Sequence, residues 1–220
     1  MAPDSVSVWR RRIALATIAV VLVGIGVALG AWWQREPDAS GVTLSATDIG
    51  FAQDMSAHHA QAVLLSQTLS RDVDPQVRAL ADQIVAAQSA EIATMQGWLT
   101  LVGAPLTAAH PMAWMTPDAH AEHAMHGDGE SAGPPMPGMA SVADISKLAG
   151  LAGRDADVWY LQLMIRHHHG GIDMAQAAYN QGLSEPIART ALAMVRDQGN
   201  ESGVMTTMLA TRGAAPLPYP

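Results

Sequence analysis

The sequence contains no cysteine, only one phenylalanine, and fewer basic than acidic residues, with 12 Lys and Arg against 20 Asp and Glu. Without cysteine there are no disulfides and no thiolate ligands, so a soft-metal site would have to use thioether and imidazole groups. The formal net charge of −8 argues against nucleic-acid binding, which depends on Lys and Arg to neutralise phosphates. Aromatic residues are scarce whereas Ala and Met are abundant, which favours an all-α fold.

An apolar run over residues 13–33 carries no charged side chain and has the length of a bilayer-spanning helix. Three arginines precede it and two tryptophans close it, a flank pattern that places the N-terminus in the cytoplasm. We therefore predict a cytoplasmic segment at 1–12, a transmembrane anchor at 13–33 and a tether at 34–44, with the membrane as a partner. The alternative is a cleaved signal peptide, which would make the protein secreted.

Capping patterns divide the rest of the chain into helices. A Ser-x-x-Asp capping box begins at Ser45 and again at Ser141, and Asp74 followed by Pro75 is typical of a helix start. Gly103 is a typical helix stop. The predicted helices cover about 45–70, 75–102, 141–153, 155–181 and 184–212.

The second half of the chain repeats the first at an offset of roughly 110 residues. The repeat predicts two related helical hairpins, at 45–105 and 141–215, which pack as an antiparallel four-helix bundle. The segment at 106–140 is the crossover that connects them. The matched positions include Phe51, Met55, His58, His59, Gln88, Glu91 and Met95 against Tyr160, Met164, His167, His168, Gln198, Glu201 and Met205.

A heptad pattern places a mostly apolar seam along each long helix. The seam is interrupted by polar residues that we expect to face the bundle interior: His58, Gln88, Glu91, His167, Gln198 and Glu201. Buried carboxylates are costly unless they are paired or bind a cation. Two interpretations follow, namely hydrogen-bonded His58–Glu91 and His167–Glu201 pairs that fix the helix register, or a metal site. His59 and His168 lie beside the seam and are further ligands, hydrogen-bond partners or surface residues.

Methionines three positions before the interior histidines favour the metal site. Met55 and Met164 lie on the same helical face as His58 and His167, within reach of one ion. Imidazole and thioether without thiolate favour copper, as Cu(I) or Cu(II), over zinc. The candidate metal ligands are Met55, His58, His59, Glu91, Met95, Met164, His167, His168, Met174, Glu201 and Met205, with His120, His123 and His126 in the crossover.

The crossover at 106–140 is rich in Pro and Gly and contains 4 of the 9 histidines and 5 of the 13 methionines. This composition is typical of metal-binding segments. A flexible polar connection without metal is the alternative interpretation.

The chain resembles the domain-of-unknown-function 305 family over about residues 45–215. The resemblance is carried by Phe51-x3-Met55-x2-His58-His59, by Met164-x2-His167-His168-x3-Ile172-Asp173-Met174 and by the two Gln-x2-Glu-x3-Met motifs. It implies a ferritin-like four-helix bundle, secreted or membrane-anchored, with copper binding in some members. The first half departs from the family pattern at Ala60, Leu64 and Leu65, which implies that the first half is the poorer metal site.

These observations favour a non-enzymatic, extracytoplasmic copper-binding protein that sequesters the ion or transfers it. The alternative is a structural or signalling bundle with a buried His/Glu core and no physiological metal. No motif indicates catalysis; an oxidase would need an ordered site with an open coordination position.

Overall fold

A computed structural model describes Trp9, residues 21–27, Gly30, residues 43–115 and residues 136–219. Regular secondary structure within those residues is entirely helical, in agreement with the predicted all-α class. After residue 43 the helices are α1 (Ala46–Thr68), α2 (Pro75–Leu101), α3 (Val142–Ala149), α4 (Gly153–Asn180) and α5 (Glu185–Thr211).

The predicted transmembrane helix at 13–33 is wrong. No helix in the described parts of the chain is long and apolar enough to cross a bilayer. Within the predicted span, the described residues are 21–27 and Gly30, and all of them are helical. The prediction rested on hydropathy and run length, which are necessary for a bilayer span but do not by themselves establish a spanning helix. The rest of 13–33, residues 34–42 and most of 1–12 lie outside the described residues.

Local capping explains where the helices begin. The Ser45 hydroxyl accepts a hydrogen bond from the Asp48 amide at 3.0 Å, and the Asp48 carboxylate accepts one from the Ser45 amide at 2.9 Å. The same reciprocal pair forms between Ser141 and Asp144 at the start of α3. These bonds confirm both predicted capping boxes. They stabilise the helix starts, because they satisfy backbone N–H donors that a helix leaves free at its N-terminus.

The five helices pair as the repeat predicts. Helix α1 packs along α2, α4 packs along α5, and the two hairpins contact each other through α1 and α4. The short helix α3 packs against both α1 and α4.

The buried apolar residues fall into two clusters at opposite ends of these helices. In α1, Phe51 and Met55 belong to one cluster and Leu65 to the other, whereas in α4 Met164 and Met174 have the opposite order. Helices α1 and α4 therefore run in opposite directions between the clusters. The leucine-rich cluster is built on Leu65, Leu69, Leu80, Ile84, Leu148, Leu161, Leu163, Ile165 and Leu209. The methionine-rich cluster is built on Met55, Met95, Met112, Met115, Met136, Met174 and Met194.

Both described ends of the crossover are fixed to helix α1. At the first end, the Asp54 carboxylate accepts hydrogen bonds from the Met112 amide at 2.6 Å and the Trp114 ring nitrogen at 2.8 Å. At the second end, the Gln61 amide bonds both the N–H and the C=O of Ala140, at 2.6 and 2.9 Å. Residues 116–135 lie outside the described part of the chain.

The second end of the crossover also presses against helix α4. A Cβ atom added at Gly170 would collide with the carbonyl of Pro137, and one added at Gly138 would collide with the backbone of Arg166. Gly138 has a φ of 74°, which favours glycine. Glycine at both positions therefore allows the backbones to approach, and it places the Pro137 carbonyl beside the middle of the bundle.

Candidate metal site

A polar layer separates the two apolar clusters. Its members are His58, His59, Gln88, Glu91, His167, His168, Gln198 and Glu201. The layer follows from the heptad seam, because in each long helix the polar pair stands between apolar residues of the leucine-rich cluster and apolar residues of the methionine-rich cluster. The four histidines have no exposed surface, so the sequence places four imidazoles in the interior where two were expected.

The four imidazole rings form a row across the layer. The ring centroids of His58 and His167 lie 3.9 Å apart, with 34° between the ring planes. His59 lies 6.3 Å from His58 on one side, and His168 lies 6.4 Å from His167 on the other. The row therefore has the pseudosymmetry of the repeat, with the stacked His58–His167 pair at its centre.

The outer two histidines are paired with glutamates. His59 Nε2 lies 2.7 Å from Glu91 Oε2, and His168 Nε2 lies 2.7 Å from Glu201 Oε2. A carboxylate oxygen accepts, so the Nε2–H donates in both pairs. The glutamates lie at the margin of the layer, with side chains 25% and 14% exposed. Each carboxylate therefore remains partly in contact with solvent while it orients a buried ring.

The central two histidines donate to backbone carbonyls. His58 Nε2 lies 3.1 Å from the Pro137 carbonyl, and His167 Nε2 lies 3.1 Å from the His58 carbonyl. Burial, reinforced by the neighbouring His59, lowers the pKa of His58 to about 3. Burial and the adjacent His58 also lower the pKa of His167 well below its usual value. Both rings are therefore neutral at physiological pH, and their Nδ1 atoms carry lone pairs.

The Nδ1 atoms of all four histidines are buried without a hydrogen-bond partner among the described residues. The amide groups of Gln88 and Gln198 are buried and unpaired in the same way. Unsatisfied buried polar atoms are rare in native proteins and each costs about 1–3 kcal/mol. A ligand that accepts electron pairs would satisfy the Nδ1 atoms, so this donor set fits a metal ion.

The predicted histidine–glutamate pairs are shifted by one residue. His59 and His168 pair with the glutamates, in place of the predicted His58 and His167. Consecutive helical residues point about 100° apart, so a glutamate at the edge of the seam meets the flanking histidine. The heptad assignment placed the two glutamates in the interior, whereas they lie at the margin of the polar layer.

The candidate methionines divide between the two ends of the bundle. Met55, Met95 and Met174 lie in the methionine-rich cluster, and Met164 and Met205 lie in the leucine-rich cluster. Leu65, which corresponds to Met174 in the repeat, also lies in the leucine-rich cluster. The resemblance implied that the first half is the poorer metal site, and that implication stays a prediction.

The crossover candidates His120, His123 and His126 lie outside the described residues. In the part of the chain that is described, no group of three or more His, Cys, Asp or Glu side chains is arranged to hold a metal ion.

A contact on the outer face of α4 was missed at the sequence level. Asp173 accepts a hydrogen bond from the Tyr219 hydroxyl at 2.5 Å, and the His169 ring meets Tyr219 edge-on at 5.5 Å between centroids. Burial, together with Asp173, raises the pKa of Tyr219. The C-terminal segment thus contacts His169, the residue that follows His168 in α4. No sequence pattern links His169 or Asp173 to Tyr219.

Comparisons with known proteins bear on both the fold and the family. The model of the family described as domain of unknown function DUF305 matches residues 48–209. A DUF305 protein from Streptomyces coelicolor, described as secreted, is 37% identical, with 79% of this chain and 96% of that chain covered and a TM-score of 0.67. A DUF305 fragment from Deinococcus radiodurans is 27% identical, with coverages of 76% and 98% and a TM-score of 0.60.

CopM, solved in a Cu(II)-bound form, shares the fold at 22% identity, with coverages of 74% and 96% and a TM-score of 0.55. Its Cu(I)-bound form gives 20% identity and a TM-score of 0.54. None of the curated proteins matches this chain. The family model covers most of the chain, and the repeated His-His motifs that it spans build the polar layer. The protein therefore belongs to the DUF305 family.

Proposed function

We propose that the protein is an extracytoplasmic copper-binding protein, which sequesters copper or transfers it, and that the polar layer is its principal site. The observation that carries this proposal is the row of four buried histidines, each with Nε2 engaged and Nδ1 unpaired. Histidines that ligate metals characteristically donate their other ring N–H to a carboxylate or a backbone carbonyl. All four rings of the layer meet that condition.

The spacing of the rings supports binding by neighbouring pairs. A ring whose nitrogen lies about 2 Å from an ion has its centroid about 3.2 Å from that ion, so the centroids of two rings on one ion lie at most about 6.4 Å apart. The His59–His58 and His167–His168 separations of 6.3 and 6.4 Å are close to that limit. We expect Cu(I) to be favoured, because soft thioether ligands select Cu(I). Met55 and Met164 supply the thioethers nearest in sequence.

The proposed roles of the glutamates and glutamines differ from those of the rings. Glu91 and Glu201 orient His59 and His168 through their Nε2–H groups, which fixes the tautomer that leaves Nδ1 for the ion. The Gln198 amide lies directly against Gly171, where a Cβ atom would collide with it. Gln88 and Gln198 would then supply polar contacts inside the layer.

Two observations support a location outside the cytoplasm. The similar protein from Streptomyces coelicolor is described as secreted. The chain also uses methionine and histidine without cysteine, a donor set that keeps its ligand chemistry where thiols are oxidised. Fusion to a reporter enzyme that folds only outside the cytoplasm tests this, and an inactive, fully expressed fusion would contradict it.

Copper affinity of the full-length protein tests the proposed site. Cu(I) and Cu(II) are titrated against competing chelators with wild type, with His59→Gln and with His168→Gln, since Gln retains a donor for the glutamate. The matched control replaces His120, His123 and His126 with Asn. We expect tight wild-type binding, at least tenfold weaker binding in the layer variants and little change in the control.

The alternative is a structural polar layer that only fixes helix register, which the two His–Glu hydrogen bonds would also serve. That alternative predicts unaltered copper affinity in the layer variants, accompanied by lower thermal stability of the metal-free protein. Absence of wild-type binding would end the copper proposal.

A further inference from the structure

The methionine-rich cluster is unusual in its composition. Seven of its fourteen buried residues are methionine, against two of seventeen in the leucine-rich cluster. Four of the seven come from the long helices and three come from the ends of the crossover. They are Met55, Met95, Met174 and Met194, followed by Met112, Met115 and Met136.

The internal repeat provides a comparison within the same molecule. Met174 and Met194 of the methionine-rich cluster correspond in the repeat to Leu65 and Ile84, which lie in the leucine-rich cluster. Packing alone is served by Leu and Ile, because Met is flexible and specifies a core poorly. At these two pairs of equivalent positions, the chain thus has an aliphatic residue in the leucine-rich cluster and a thioether in the methionine-rich cluster.

The crossover contributes its methionines at a local backbone cost. Met112 has a φ of 64°, a left-handed conformation that is strained for a non-glycine residue. The Asp54 carboxylate holds the Met112 amide at 2.6 Å and so stabilises this turn. Gln61 holds the other end of the crossover at Ala140. Two side chains of α1 therefore anchor the segments that add three thioethers to the cluster.

A buried carboxylate lies beside the cluster. Asp54 is 1% exposed, and its carboxylate accepts hydrogen bonds from the Met112 amide and the Trp114 ring nitrogen, both of which are neutral groups. A cation held by the neighbouring thioethers would be favoured next to this carboxylate.

We propose that the methionine-rich cluster is a second binding site, distinct from the polar layer, for Cu(I) coordinated by thioether sulfurs alone. Thioethers are neutral, soft donors that suit Cu(I), whereas Cu(II) and Zn(II) favour nitrogen and oxygen ligands. A singly charged ion also costs less to bury than a doubly charged one. The site takes up the cation without oxidation or reduction, and Asp54 provides the compensating charge.

This inference rests on the proposed function only for the identity of the metal. The two sites use different donors, so they are distinguishable in one experiment. Full-length protein is prepared with 13C-labelled methionine methyl groups and titrated with Ag(I), a redox-inert probe with the ligand preference of Cu(I). Histidine ring signals are recorded in parallel.

We expect the first equivalents of Ag(I) to shift the methyl signals of Met112, Met136 and Met174. Met205 lies in the leucine-rich cluster and Met208 packs against it, so the methyl signals of both should stay unchanged. Shifts confined to the histidine rings would overturn the second site and leave the proposed function standing. Shifts of the cluster methyls without any histidine response would support the second site against the polar layer. No response of either kind would contradict both.

A second methionine variant provides the control. Met112, Met115 and Met136 are replaced with Leu in one variant, and Met208, which packs against the leucine-rich cluster, is replaced with Leu in the other. Exchange of Met for Leu conserves side-chain volume and is usually well tolerated in a core, so both variants should fold. Followed through the Met174 methyl signal, Ag(I) affinity should fall at least tenfold in the first variant and hold in the second. Equal affinity in both would overturn the proposal.

Discussion

At the scale of single residues, the central feature is that each buried imidazole has one nitrogen engaged and one unpaired. The outer rings donate to carboxylates and the inner rings donate to carbonyls. Because the acceptors fix the tautomer, the ligand atom of every ring is determined before any ion arrives. A preorganised donor set lowers the cost of binding.

Replacing an orienting glutamate should weaken copper binding. Glu201→Gln keeps an oxygen that accepts from His168 Nε2 but removes the charge that increases the basicity of the ring. We expect a 10–100-fold loss of copper affinity in competition titrations, a typical effect of such outer partners. The control is Glu185→Gln, on an exposed glutamate of the same helix, which should bind as wild type. Equal affinities in the two variants would show that Glu201 has no orienting role.

The two central histidines should make the metal-free protein sensitive to acid. Both stay neutral in the folded state, since the pKa of His58 is about 3 and that of His167 is also lowered, whereas unfolded histidine titrates near pH 6.5. The unfolded state therefore binds more protons below pH 6.5. For His58, stability should fall by roughly 1.4 kcal/mol per pH unit as the pH decreases from about 6 towards 3, and His167 should add to the loss in the same direction.

Urea unfolding of the metal-free protein between pH 7.5 and pH 4 measures this dependence. At pH above 6.5 the free energy of unfolding should vary little on account of these rings. A flat profile down to pH 4 would mean that the central rings become protonated in the folded state, against their burial and stacking.

At the scale of helices and connections, the second end of the crossover packs with its backbone directly against the backbone of α4. Gly170→Ala would drive a methyl group into the Pro137 carbonyl. We expect this variant to lose about 1–3 kcal/mol of stability through overpacking. It should also disturb the His58–Pro137 hydrogen bond, which depends on the same approach.

Gly199→Ala is the matched control, because Gly199 is an exposed helical glycine with open space around the added methyl group. This variant should gain up to about 1 kcal/mol from the higher helix propensity of Ala. Denaturant midpoints of the two variants provide the measurement. Similar midpoints would contradict a close contact between the crossover and α4.

The sequence predicted the helices well because their determinants are local. Capping boxes at Ser45 and Ser141 and the apolar seam act within a few residues, and each is found where the pattern placed it. The contacts of Asp54 with Met112 and of Gln61 with Ala140 join residues far apart in the chain. No local pattern encodes them, so the positions of the crossover ends could not be predicted.

At the scale of the whole molecule, the repeat predicted a shared site but not the distribution of its sulfurs. Because α1 and α4 run in opposite directions, Met174 of the second half joins Met55 of the first half, while Met164 lies at the other end. This arrangement depends on how the halves pack, which the repeat alone does not reveal. The apolar run at 13–33 likewise indicated a membrane span that the described helices do not provide.

Copper should stabilise the folded protein as a unit. An ion present at 100 times its dissociation constant adds about 2.7 kcal/mol to the free energy of unfolding. For a domain of this size that corresponds to a rise of roughly 5–10 °C in the unfolding midpoint. Calorimetry with and without copper measures the shift, and a chelator should reverse it. An unchanged midpoint would indicate that copper does not prefer the folded state.

The most direct test is to locate the metal itself, by anomalous diffraction at the copper edge from crystals grown with copper. We predict a copper peak inside the polar layer, about 2 Å from the Nδ1 atoms of neighbouring histidines. The Nε2 atoms of His59 and His168 should remain bonded to Glu91 and Glu201. Copper found only at surface histidines or within 116–135, with the polar layer unchanged, would contradict the polar layer as the principal site.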